Sequence, residues 1–178
     1  LTQDGLRTFL EKYTKQHVPD ESTLRRKYVK ESYKEALAKI KKEIGGNYIW
    51  VSVDKTTDAS GRYMTNCVIG TLKAEEAGTP NLLNTDVLEK VNHSTIARFF
   101  ATSLELLWPV NLQYEKVLLL VTDGASYMCK ATKGLKVLYP KMIHVTCVVH
   151  AMHRVPEEIR LDFPQVDLLV SNTKTKLS

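Results

Sequence analysis

Two aspartates, each at the end of a strand-like apolar run, are the residues of this sequence best placed to do chemistry. Asp123 follows the run Val117–Val121, with Thr122 between them, and Asp54 directly follows the run Tyr48–Val53. Carboxylates held close together repel each other unless a cation binds, and oxygen ligands favour Mg²⁺ or Mn²⁺. Such ions can activate a nucleophilic oxygen and stabilise a leaving oxygen in phosphodiester chemistry. Either aspartate alone is more readily explained as a cap or turn residue, so the predicted metal site depends on the pair.

The elements that would bring this pair together can be predicted from the apolar pattern. Five consecutive apolar residues, Val117–Val121, are typical of a strand buried on both faces of a sheet covered by helices. The pattern of the first half predicts, in chain order, a helix at 4–16, a second helix that ends at about residue 44, and strands at 47–54, 62–73 and 81–91. The second half predicts a helix at 93–108, a strand at 117–121, a helix at 125–138, a strand at 142–146 and a helix starting at 147.

This order predicts an α/β fold: a mixed five-stranded sheet, β-β-β-α-β-α-β-α, covered on both faces, with an N-terminal helical extension. The fourth strand enters through a helical crossover and is expected to lie parallel to the first. Neighbouring strands are about 4.8 Å apart, so Asp54 and Asp123 would share one small volume at the edge where open α/β sheets bind ligands.

Most of the excess positive charge lies in the first helices. The 178 residues carry a formal charge of +5 with a pI near 9.0, and 43% are hydrophobic, which argues against wholesale disorder. Residues 1–50 hold eleven Lys/Arg against seven Asp/Glu, so 11 − 7 = +4 lies there. A solvated helix face and a nucleic-acid-facing surface both explain this excess.

Cysteine usage and hydropathy limit the class of protein. Three cysteines without a CxxC pair argue against a disulfide framework and favour a reducing compartment. No apolar run approaches the roughly 20 residues that span a bilayer, so no membrane partner is expected. The missing initiator Met and the unclosed end at Ser178 are interpreted as signs of a chain cut from something longer.

Three motifs in this order resemble the ribonuclease-H-like catalytic core of the hAT superfamily of DNA transposases. They are Val51-Ser-Val-Asp54-Lys-Thr-Thr-Asp58, Leu120-Val-Thr-Asp123-Gly-Ala-Ser-Tyr-Met128 and Cys147-Val-Val-His150-Ala-Met-His153. The resemblance implies that Asp54 and Asp123 are the first two catalytic carboxylates and the ligands of Mg²⁺ or Mn²⁺. It implies that His150 lies near the active site and contacts DNA, that the full-length protein acts on transposon ends in the nucleus, and that it can form a homo-oligomer.

The sequence also departs from that family. The third catalytic carboxylate, a glutamate, would lie beyond a large helical insertion after Ser178, and no zinc finger of the BED type precedes the core. Lys55, next to Asp54, is expected to weaken metal binding. Residues 1–46 are therefore interpreted as a helical, DNA-proximal linker and 47–178 as a core incomplete at its C-terminus. Two hypotheses follow: a transposase fragment that is inactive alone, or a transposase-derived, non-catalytic DNA- or protein-binding protein.

Other chemistries are disfavoured by the residues. A zinc cluster of Cys147, His150 and His153 would contain only one cysteine and has no partner pair. His153 is better explained as a structural polar group. Asp58 is more typical of a turn. An aspartate-nucleophile phosphotransferase would need a second aspartate where Thr56 stands.

Overall fold

The computed structural model describes residues 3–76 and 78–177, and it divides the chain into two compact units, Leu1–Lys42 and Glu43–Ser178. The helices are α1 (Gln3–Thr14), α2 (Glu21–Thr23), a π-helical segment (Leu24–Val29), α3 (Lys30–Ile44), α4 (His93–Leu107), α5 (Ser126–Leu135), α6 (Val148–Leu161) and α7 (Pro164–Leu177). The strands are β1 (Ile49–Thr57), β2 (Tyr63–Thr71), β3 (Asn81–Leu88), β4 (Val117–Thr122) and β5 (Ile143–Thr146).

The second helical run begins and ends where its capping residues predict. Asp20 is the N-cap, and its Oδ1 accepts a hydrogen bond from the backbone N–H of Thr23 at 2.7 Å. That bond is the main reason why the pKa of Asp20 lies below its usual value. At the other end Gly45 adopts a φ of 50°, the left-handed conformation that commonly ends a helix.

The five strands form one mixed sheet in the order β3-β2-β1-β4-β5. β1 pairs antiparallel with β2 and parallel with β4, while β4 pairs parallel with β5. This arrangement confirms the predicted ribonuclease-H-like fold class, including the parallel neighbourhood of the first and fourth strands.

The core lies against one face of this sheet, which we call the inner face and which carries Val51 and Val53. Cys67 also points to this face and is within hydrogen-bonding reach of Ser103 on α4, so α4 covers it. α4 begins at a capping box in which the Asn92 side chain accepts from two backbone N–H groups. The buried side chains of α4 are Ile96, Phe99, Phe100, Ser103, Leu104 and Leu107.

The opposite face, which carries Trp50 and Asp54 and which we call the outer face, is incompletely covered. Trp50 and Leu119 are half-buried, and Leu82 and Ile143 are 58% and 64% exposed. The prediction that both faces are covered is therefore wrong for the described part of the chain. A uniform apolar run shows that a strand can be buried on both faces, but it does not show which elements will pack there.

The end of the chain differs most from the sequence prediction. α7 was not predicted because its apolar residues Val166, Leu168 and Leu169 form no regular stripe, although Pro164 occupies the favoured first helical position. Pro156 lies in the interior of α6. Most described side chains of α6 and α7 are exposed, so these helices do not bury the outer face. No helix in the described ranges is long and apolar enough to cross a membrane.

Candidate active site at the carboxyl edge of the sheet

Strand register places the two predicted carboxylates side by side. Val53 of β1 pairs with Thr122 of β4, and Asp54 and Asp123 each come one residue later. Asp54 is still within β1, whereas Asp123 is in the loop before α5, where its Oδ1 accepts from the N–H of Ala125 at 3.1 Å. The pair therefore stands where the pairing of these two adjacent parallel strands ends, at the carboxyl end of β4 and three residues before the end of β1.

One oxygen of Asp54 is in an unusual position. The side chain as a whole is 48% exposed, yet its Oδ1 atom is buried and has no hydrogen-bond partner in the described structure. A buried carboxylate oxygen without a partner is costly, because desolvation is not offset by a bond. A divalent cation is one of the groups that such an oxygen can bind.

His150, on α6, lies close to the two carboxylates. Its Nε2 lies 3.7 Å from Asp54 Oδ1. A hydrogen bond with Cys147 is the main cause that raises the pKa of His150, and the negative charges of Asp54 and Asp123 raise it further. The same hydrogen bond lowers the pKa of the Cys147 thiol. The three predicted catalytic residues are thus gathered at one edge of the sheet, with Cys147 beside them.

Two more residues reach this edge that the sequence did not single out. Tyr127, in the first turn of α5, has its pKa raised mainly by burial and also by the charges of Asp123 and Asp54. Arg154 Nη1 lies 3.8 Å from the position that a Cβ on Gly124 would take. Arg154 follows His150 by four residues and so shares its face of α6, a spacing that could have revealed it in the sequence.

The remaining candidates lie elsewhere. His153 is 79% exposed and faces Glu157 at 3.7 Å rather than the carboxylates. Asp58 holds a turn, where its Oδ1 accepts from the N–H groups of Ser60 and Arg62. The Nζ atom of Lys55 lies 4.6 Å from the centroid of the Tyr63 ring.

The position of Lys55 bears on metal binding. Successive side chains of a strand point to opposite faces, so Lys55 is directed to the inner face and Asp54 to the outer one. The expectation that the Lys55 ammonium weakens a metal site at Asp54 therefore finds no support in this geometry.

Residues 19–175 match the protein family described as "Domain of unknown function (DUF659)". The chain belongs to the DUF659 family. This family is associated with the hAT transposases, which agrees with the resemblance of the three motifs. No curated protein matches the DUF659 chain as a relative.

Solved structures with a similar fold are distant from the DUF659 chain. The Mos1 transposase catalytic domain with raltegravir and Mn is 15% identical, with a TM-score of 0.36, and the match covers 72% of this chain and 62% of that one. RuvC of Thermus thermophilus is 12% identical, with a TM-score of 0.31, over 55% of this chain and 60% of that one. The DUF659 chain thus spans less than two thirds of the Mos1 domain. At these scores the likeness adds nothing to the strand order already described.

The donor atoms at the edge of the sheet suit a hard divalent cation. Mg²⁺ is commonly held by one or two carboxylates, with waters and substrate phosphates as the other ligands. Asp54 and Asp123 offer oxygen donors of this kind, and the buried Oδ1 of Asp54 has no hydrogen-bond partner among the described residues. No group of three His, Cys, Asp or Glu side chains in ranges 3–76 and 78–177 could hold a metal ion.

Proposed function

We propose that this chain supplies two carboxylates, Asp54 and Asp123, to a divalent-metal site that cuts and joins DNA phosphodiesters in a hAT-like transposase. The observation that carries the proposal is the β1–β4 register, which sets both carboxylates at one edge of the sheet. The full-length protein would act on transposon ends in the nucleus. Because the described residues supply no third carboxylate, we propose that this chain does not cleave DNA by itself.

The residues around the pair have distinct roles in this proposal. Mg²⁺ or Mn²⁺ would be held by Asp54 and Asp123 and would supply Lewis acidity at a phosphate oxygen. His150 lies within reach of Asp54 and orients its carboxylate. The guanidinium of Arg154 has no ion-pair partner within the described ranges and lies beside the loop at Gly124, so it is free to bind a phosphate oxygen.

Metal binding tests the proposal without requiring cleavage. Thermal unfolding is measured with and without millimolar Mn²⁺ for the unaltered chain and for the variants Asp54→Asn and Asp123→Asn. A ligand at 100 times its Kd stabilises the folded state by about 2.7 kcal/mol, so the melting temperature of the unaltered chain should rise. Both variants should lose this rise.

The matched control is Asp86→Asn, which removes an exposed carboxylate from β3. This variant should keep the full response to Mn²⁺. A rise in melting temperature that is equally large in Asp54→Asn would show that the ion binds elsewhere, and the proposed site would have to be abandoned.

A second candidate function is a transposase-derived protein that binds DNA or protein partners without catalysis. The observation that favours it is the lack of any three-ligand cluster in the described part of the chain. This candidate would be supported if Mn²⁺ did not raise the melting temperature of the unaltered chain. Conversely, Mg²⁺-dependent nicking of a supercoiled plasmid, abolished by Asp54→Ala, would disprove the proposal that the chain alone is inactive.

A further inference from the structure

A basic groove runs along the second helical run of the N-terminal unit, within residues 23–34. We define the basic groove by its lining residues, which are Thr23, Arg26, Lys27, Lys30, Glu31 and Lys34. Four of these side chains are cationic and one is anionic, so the groove carries a formal charge of 4 − 1 = +3. No apolar side chain lines it.

The helix geometry explains why these cations share one face. The π-helical segment Leu24–Val29 has hydrogen bonds that span five residues instead of four. Its turns are wider than those of an α-helix, so residues four apart, such as Arg26 and Lys30, come closer to alignment. Lys34 follows Lys30 by one further turn, about 6 Å along the helix axis. The cations therefore form a row along the helix.

Nearby acidic residues leave the row largely uncompensated. Glu21 pairs with Arg25 at 2.8 Å, and Asp20 is engaged as the N-cap. Arg26 is fixed by two hydrogen bonds to Ser22, which leaves further guanidinium N–H groups free. Among the described residues, Lys30 and Lys34 have no ion-pair partner.

Two tyrosines next to the groove are also exposed. Tyr28 and Tyr33 are 45% and 51% exposed. The Nζ atom of Lys27 lies 5.6 Å from the centroid of the Tyr28 ring, a cation–π arrangement. Aromatic rings beside cations are found in surfaces that bind single-stranded nucleic acids, where bases stack on the rings. The two tyrosines therefore do not indicate binding of a duplex backbone.

We propose that the basic groove binds the phosphodiester backbone of double-stranded DNA. Protein interfaces usually centre on buried apolar or aromatic anchors, and the lining of this groove contains none. Phosphate backbones, in contrast, are bound by Lys and Arg side chains without apolar contact. The choice of DNA as the polymer rests on the proposed function, whereas the site itself rests on the groove.

The salt dependence of DNA binding tests the groove directly. Fluorescence anisotropy is measured with a short labelled duplex of arbitrary sequence between about 50 and 200 mM salt. Each phosphate neutralised contributes about −0.9 to the slope of log K against log salt. The double variant Lys30→Ala/Lys34→Ala should therefore bind more weakly, with a slope smaller in magnitude by about 1.8.

A matched double variant removes the same charge elsewhere. Lys130→Ala/Lys133→Ala on α5 also deletes two exposed lysines three or four residues apart, and its slope should equal that of the unaltered chain. A slope unchanged in Lys30→Ala/Lys34→Ala, or reduced equally in the control, would overturn the proposal. The proposal would also be overturned if Lys30→Ala/Lys34→Ala weakened binding to polyglutamate but not to the DNA duplex. That result would indicate an acidic protein as the partner.

The two assays together separate this proposal from the proposed function. Lys30→Ala/Lys34→Ala should keep the full Mn²⁺-induced rise in melting temperature, because neither lysine is a proposed metal ligand. If Mn²⁺ does not raise the melting temperature but the salt slope depends on Lys30 and Lys34, the proposed function has failed and the groove stands. If Mn²⁺ raises the melting temperature but the slope does not depend on these lysines, the groove has failed and the proposed function stands.

Discussion

The two faces of the sheet are built from similar residue types but have different environments. On the inner face, Val51, Cys67 and Leu120 are at most 1% exposed beneath α4 and its neighbours. On the outer face, Trp50 and Leu119 are only half-buried, and Ile143 is 64% exposed. The inner face stabilises the fold, while the outer face carries Asp54.

This difference shows why a functional carboxylate can occur in a central strand. An ionised side chain at one of the fully buried positions of the inner face, such as Val51 or Leu120, would have neither water nor a partner, at a cost of several kcal/mol. On the outer face the Asp54 side chain remains 48% exposed, and only its Oδ1 is buried. Incomplete packing on this side therefore leaves room for a cation and a substrate.

The largest expected effect compares adjacent leucines of β4. Leu120→Ala should destabilise the fold by about 3 kcal/mol because it leaves a cavity in a packed core. Leu119→Ala, on the half-buried outer face, should cost about 1 kcal/mol. Urea denaturation of both variants gives the two free energies of unfolding. Equal losses would mean that the outer face is as well packed as the inner one.

The next effect concerns the close contact across the outer face between Gly70 and Trp50, which are paired in register. A Cβ at position 70 would lie 2.6 Å from the Trp50 indole ring. Gly70→Ala should therefore cost about 1–3 kcal/mol and shift the tryptophan emission as the ring moves.

Gly134→Ala is the matched glycine variant for that test. Nothing lies within 4 Å of the added methyl group in the last turn of α5, so helix propensity should make this substitution neutral or stabilising by up to about 1 kcal/mol. If Gly70→Ala were equally harmless, the Trp50 indole ring would not be packed against Gly70 of β2.

The reactivity of the cysteines should also differ between the buried inner face and the edge of the sheet that carries the carboxylates. Burial raises the pKa of Cys67 to about 12, whereas the hydrogen bond with His150 lowers the pKa of Cys147 below its usual 9.0. Iodoacetamide should therefore alkylate Cys147 in the folded protein and leave Cys67 unmodified, as mapped by mass spectrometry.

The pH profile of alkylation tests the role of His150. The rate at Cys147 should fall as pH drops through its lowered pKa, because only the thiolate reacts. His150→Gln removes the stabilising bond and should move the profile to higher pH. A profile that His150→Gln leaves in place would show that the two side chains do not interact.

The smallest expected effect is at Lys55. Because its side chain points to the inner face and lies over Tyr63, Lys55→Ala should leave the Mn²⁺-induced rise in melting temperature unchanged. A larger rise in this variant than in the unaltered chain would place the ammonium near the ion and contradict the assignment of Lys55 and Asp54 to opposite faces.

Sequence patterns predicted the fold more completely than the site. The apolar run before Asp123 located the end of β4, whereas β1 continues three residues beyond Asp54 to Thr57. The helical crossover between the two runs made those strands parallel. The spacing of Arg154 from His150 carried the same kind of information, but no apolar pattern marked α6 as facing the carboxylates. Tyr127 was missed because an aromatic residue in a first helical turn is usually part of the core.

Local chemistry was sufficient for the turns and caps of this chain. Asp20, Gly45 and the Asp58 turn act through backbone groups within a few residues, so neighbouring sequence determines them. Strand order also follows from the alternation of helices and strands, because few arrangements satisfy chirality and short connections.

Tertiary structure alone settled which face of β1 and β4 is covered, where Lys55 points and which side chains surround Asp54. These outcomes depend on contacts between segments up to about a hundred residues apart, such as His150 of α6 with Asp54 of β1. Such contacts are chosen by the packing of whole elements, and no local window of residues contains that information.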